Sequence, residues 1–149
     1  MQKQNIFIAS DHGGFATKQK LVEWLKKKKI SFHDISPKLI PDDDFPCYAK
    51  AVAEKVNSKK GAKGILICGT GMGMTIAANK CKGIRAVTPY DAYTAKMSRT
   101  DNDANVLGLR GRNFPFQKIT QIVQIWLSTP ASKKAQYKRR ILQIEKMEQ

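Results

Sequence analysis

The segment Gly64-Ile-Leu-Ile67 runs straight into Cys68-Gly69-Thr70-Gly71-Met72-Gly73 and then into a helical stretch. An apolar run without alternation is a strand buried on both faces, as in a parallel sheet. A glycine-rich turn followed by a helix is the return half of a βα unit. This junction constrains the chain more than any other feature. It demands a sheet covered on both sides and puts a polar loop at the carboxyl end of its central strand.

The rest of the sequence repeats the alternation of short β-branched runs with amphipathic stretches. Strands are predicted at 5–10, 31–35, 64–67, 84–88 and 105–109. Helices are predicted at 14–27, from Pro46 to about Val56, about 74–80, 91–99, 116–127 and 132–147. Pro46 suits a first helical turn. Five strands with crossover helices make an α/β Rossmann-like three-layer α/β/α sandwich with a five-stranded parallel sheet and an extra C-terminal helix. The 149 residues, 42% apolar, fit one domain over 1–149. No run approaches a membrane span, and the N-terminus lacks the pattern of a signal peptide. The expected location is cytoplasmic.

Three cysteines, Cys47, Cys68 and Cys81, form no disulfide framework, and none pairs at zinc-ligand spacing. With only His12 and His33 besides, no metal site is expected. The formal charge of +15 is the strongest compositional signal. It could mark a nucleic-acid binder, but no basic stretch is interleaved with aromatics and no nucleic-acid-binding signature appears. Phosphorylated small ligands are the better match.

In open α/β sheets ligands sit beyond the carboxyl ends of the strands. Three polar clusters fall there: Ser10-Asp-His-Gly-Gly14, Cys68 to Gly73, and Arg110-Gly-Arg112. The glycines at 69, 71 and 73 can turn backbone N–H groups toward a phosphate or an enolate oxygen. The loop alone could equally be a tight turn. It lacks the Gly-Lys-Ser/Thr of a nucleotide P-loop. Its Gly-x-Gly-x-Gly spacing is a poor dinucleotide fingerprint, even with Asp91 placed 20 residues beyond Gly71. A helix N-terminus favours the thiolate of a cysteine placed as Cys68 is, while Cys47 and Cys81 read as small apolar fillers. Thr70 can bond Cys68 or a substrate. Asp11 can bind sugar hydroxyls or cap the first helix, and His12 can move protons.

Together with Asp44-Phe-Pro46, the run Gly64 to Lys80, Gly83-Ile-Arg-Ala86 and Asn102-Asp-Ala-Asn-Val-Leu107, these clusters resemble the type B ribose-5-phosphate isomerase family. That family also holds allose-6-phosphate isomerases and galactose-6-phosphate isomerase subunits. The resemblance implies aldose–ketose isomerisation through an enediolate, with neither metal nor organic cofactor. It makes Cys68 the base, the amides around Gly69, Gly71, Met72 and Gly73 the enediolate site with Thr70 assisting, and Asp11 and His12 the sugar contacts. It also implies a homodimer or tetramer whose sites are shared between chains, with Asn102 and the last helix coming from the neighbour. Arg112 and Arg140 match phosphate-binding arginines.

Three positions depart from the family pattern. Asp101 stands where a ring-opening His is usual, and a carboxylate is a poor acid at neutral pH. Gln136 and Tyr137 stand where an Arg and a His are usual, and Arg110 is the candidate replacement for the lost charge. Phe45 stands where a Tyr is usual. The expected reaction is ribose 5-phosphate to ribulose 5-phosphate. A six-carbon sugar phosphate, or a weakly catalytic sugar-phosphate-binding homologue, is the alternative.

Overall fold

The computed structural model describes residues 5–148. Five parallel strands, β1 (Ile6–Ser10), β2 (His33–Asp34), β3 (Lys63–Cys68), β4 (Ala86–Val87) and β5 (Val106–Arg110), form one sheet in the order β2-β1-β3-β5-β4. The helices are α1 (Phe15–Lys27), α2 (Phe45–Ser58), α3 (Met72–Asn79), α4 (Ala92–Thr100), α5 (Phe116–Ser128) and α6 (Ala135–Glu145). The fold is the expected α/β/α sandwich.

Alternation along the inner strands sorts the two layers. Ile6, Ile8, Ile65, Ile67, Leu107 and Leu109 face α1, α4 and α5, packing with Leu21, Leu25, Ile122 and Trp126. Phe7, Ala9, Leu66, Cys68 and Val106 face α2 and α3, packing with Val52, Val56, Met74 and Ala78. Each fully buried Ile or Leu contributes about 1.5–3 kcal/mol relative to exposure. Lys18 on α1 is also fully buried, and its ammonium is paired with both oxygens of Asp34. Such a lysine is tolerated inside only with that partner in place.

The edge strands β2 and β4 are shorter than the predicted 31–35 and 84–88. Each pairs on one side only, so a β-branched stretch there has fewer ladder bonds to extend it. The outer side of β4 is closed by a side chain. The Asn79 amide donates to the Ala86 carbonyl at 2.9 Å and accepts from the Ala86 N–H at 2.7 Å. An exposed edge is an open template for another strand, and this amide occupies it.

Asp91 proves to be a helix cap. Its carboxylate accepts from Thr94 N at 2.7 Å, and the Thr94 hydroxyl reaches back to the Asp91 N–H. Cys47 is exposed rather than a buried filler, and its thiol donates to the Asp44 carbonyl. The predicted last helix is shorter, because the chain through Ser132 is held as a strap by Ser132 N donating to Thr100 O. No residue of α6 is buried, and Leu142 and Ile144 are exposed along it. No helix among the described residues is long and apolar enough to cross a membrane.

Candidate active site

The strand order places the carboxyl ends of β1, β3 and β5 side by side, so the three polar clusters meet. Cys68 pairs in register with Arg110, and Ser10 with Ile67. The loops are laced by backbone bonds: Gly111 N donates to Cys68 O at 2.8 Å and Arg112 N to Gly69 O at 3.1 Å. The approach requires glycine. A methyl on Gly14 would overlap the Ile67 carbonyl. Gly71 has φ +79° and lies against the Leu109 carbonyl, which selects glycine twice over.

Cys68 is 5% exposed, and its sulfur accepts from Gly71 N at 3.1 Å. That N–H therefore serves the sulfur rather than a substrate oxygen. Among the described residues Thr70 bonds neither the thiol nor another side chain: its hydroxyl accepts from Met72 N at 3.2 Å. The first N–H groups of α3 beyond it, beginning with Gly73, lack partners inside the helix and carry the positive end of its dipole. Phe45 lies against Gly73, where a methyl would come within 2.9 Å of the ring. Met72 points its side chain to solvent.

The Arg112 guanidinium lies across Gly13 and Gly69: a methyl on either would sit 3.3 Å from one of its nitrogens. Arg110 Nε donates to the Arg112 carbonyl at 2.8 Å, and its guanidinium rests 5.8 Å from the Phe114 ring centre. The Arg112 guanidinium thus stands beside the Cys68 loop, with Arg110 bound to the backbone of Arg112 behind it.

Asp11 does not bond the first turn of α1. Its carboxylate accepts from Gly14 N at 3.0 Å, one residue before the helix. His12 is organised by Asp43, from the acidic loop ahead of α2. Asp43 Oδ1 accepts from His12 N at 2.9 Å and meets His12 Nδ1 at 2.8 Å, and the Tyr48 hydroxyl donates to Asp43 Oδ2 at 2.7 Å. The Asp43 bond holds the His12 imidazole above its ordinary value, against weaker opposition from burial and Arg112. Burial pushes the Asp43 carboxyl up, but the His12 N–H, the Tyr48 hydroxyl and the His12 ring together hold it down. The Asp43 bond, then burial, pushes Tyr48 up to about 12. The run Asp42-Asp43-Asp44 was the available signal, but nothing in it singled out the middle carboxylate. Asp11, His12 and Asp43 bring ligand atoms within 4.8 Å of one another, the spacing a cation would need, although both Asp43 oxygens are already bonded.

Replacing Asp43 with Asn is expected to lower the His12 pKa toward the ordinary 6.5. With only two histidines, an NMR imidazole titration reads this directly. The sign follows from linkage: a raised His value gives stability that is full below pH 6.5 and is lost as pH rises through the folded value.

Asp101, Asn102 and Arg140 are not brought to this site within the chain. Asp101 ends α4 and takes the Thr100 hydroxyl at 2.9 Å. The Asn102 carbonyl accepts from Arg85, just before β5 begins and at the opposite end of the sheet from Cys68. Arg140 lies on exposed α6 over the Tyr137 ring.

Residues 6–144 match the family model described as Ribose/Galactose Isomerase. The chain belongs to this family. It is 42% identical over 125 residues to a putative sugar phosphate isomerase of Bacillus subtilis, covering 83% of this chain and 84% of that one. A ribose-5-phosphate isomerase B structure from Clostridium thermocellum superposes with a TM-score of 0.92 at 38% identity over 97% of both chains. The family member from Mycoplasma genitalium, solved with bound ribulose 5-phosphate, gives 0.91 at 37% identity over 99% of this chain and 98% of that one.

Proposed function

We propose that the chain is an aldose–ketose isomerase interconverting ribose 5-phosphate and ribulose 5-phosphate through an enediolate, with Cys68 as base. The observation that carries this is the Cys68 sulfur, buried at the end of the central strand and fixed by Gly71 N beside Arg112. The thiolate takes the C2 proton of the open-chain aldose, and the C2 electron pair becomes the enediolate double bond with charge on O1. The thiol then returns the proton to C1, while the O2 hydroxyl proton moves to O1 and leaves the ketone. N–H groups at the start of α3, with Thr70 beside them, face developing negative charge without reorganising. His12, held by Asp43, opens the ring, and Asp11 holds a sugar hydroxyl.

Arg112 binds the phosphate and Arg110 adds the second charge. Arg112→Ala is expected to raise KM about tenfold or more. Arg110→Ala should raise it less, and an unchanged KM would remove Arg110 from the phosphate site.

Asp101, Asn102 and Arg140 act in a neighbouring chain's site, in a homodimer or a tetramer of such pairs. The exposed Leu142 and Ile144 on α6 support that docking. The chain works as one cytoplasmic domain over 1–149, with no organic cofactor or metal.

The test is ketose formation from ribose 5-phosphate beside allose 6-phosphate. Turnover of the pentose supports the reading, preference for the hexose moves it to the six-carbon substrate, and no turnover of either sinks it.

A further inference from the structure

At the amino ends of β3 and β5, opposite Cys68, a cleft of about 250 Å3 is lined by Lys59, Lys60, Lys63, Arg85, Arg99 and Asp103. Asp103 divides its carboxylate between the two arginines, Oδ1 to Arg99 Nη1 at 2.7 Å and Oδ2 to Arg85 Nη2 at 3.4 Å. Glu145 meets Arg85 from α6 at 3.2 Å. Among the described residues no carboxylate comes within ion-pair distance of Lys59, Lys60 or Lys63.

Lys63 is the informative member. Its ammonium donates to the Leu127 carbonyl at 3.2 Å and lies 5.6 Å from the Trp126 ring centre, as does the Arg99 guanidinium. Burial, then the like charge of Arg99, pushes Lys63 down to about 8. Asp103 opposes this more weakly, its carboxylate already shared between the two arginines, so the cation is held in place at a cost. A concave shape in which, among the described residues, five cations meet only the carboxylates of Asp103 and Glu145 selects a compact, multiply charged anion. A cleft of this volume admits a phosphate with a few attached atoms.

We propose that this cleft binds a phosphate group, either free inorganic phosphate or that of a small phosphate ester, as a second anion site at the opposite end of the sheet from Cys68. It is independent of the isomerase reading.

Trp126 forms part of the surroundings of Lys63, and the only other tryptophan is Trp24. The experiment is fluorescence of the Trp24→Phe protein titrated with inorganic phosphate and, separately, with glycerol phosphate, at constant ionic strength. A saturable change is expected, kept in Arg112→Ala, weakened about tenfold in Lys63→Gln and severalfold in Lys60→Gln. Tighter binding of one probe says whether the free ion or the ester is the preferred source. Lys60 is exposed, so its variant decides the matter if Lys63→Gln fails to fold. No saturable change, an equal change with chloride, saturation untouched by both lysine variants, or a response confined to RNA oligonucleotides would each overturn the proposal.

Discussion

Cys68→Ala is expected to lower kcat for ribose 5-phosphate by about a thousandfold, within the range for loss of a positioned base. The fold should survive. The substitution removes one sulfur from a buried position, and the backbone bonds that lace the loop, from Gly111 N and Arg112 N, do not involve it. Substrate affinity should change little, since Arg112 and the α3 amides remain. Initial-rate measurement of ketose formation checks this, with thermal unfolding run alongside. Turnover close to wild type in a folded Cys68→Ala protein would remove Cys68 as the base. Cys68→Ser offers a finer comparison, because it keeps an acceptor for Gly71 N with a far weaker base.

The largest expected effect on stability comes from Gly14→Ala. The methyl would overlap the Ile67 carbonyl, and the atoms it meets are backbone atoms of the central strand. They cannot swing aside as a flexible side chain could. Relief requires α1 to lift away from β3, separating buried contacts such as Leu21 with the inner strands. Overpacking of this kind costs about 3 kcal/mol, or about 10 °C in Tm for a chain of this size. Activity should fall as well, because Asp11 holds Gly14 N and Arg112 crosses Gly13. A melting temperature within a degree or two of wild type would show that this junction is looser than described.

The inner strands were legible because burial on both faces leaves an unbroken apolar run, as in Ile65-Leu66-Ile67. The edge strands were over-read: a β-branched stretch looks the same whether it has one neighbour or two. The convergence of Asp11, Cys68 and Arg112 followed from chain order and the strand-end rule, which the order β1-β3-β5 at the centre satisfies. The Asp43 bond to His12 was not legible. It joins residues 31 apart through a loop whose path no local pattern fixes. The Asp91 spacing gave only a poor dinucleotide match, and Thr94 three residues later was the better clue, since it completes a helix cap. The lysine excess hid the cleft at Lys63, because composition counts charges without saying which of them form ion pairs.

The Asn79 amide against Ala86 bears on how this protein can associate. With that rim already satisfied, two copies cannot join their sheets into one continuous ribbon there. Contact on this flank must be made by side chains, from α6 and the surface around it. Such a seam can be redrawn residue by residue without disturbing the strands beneath. Relatives with different partners across this flank could therefore share one unaltered scaffold.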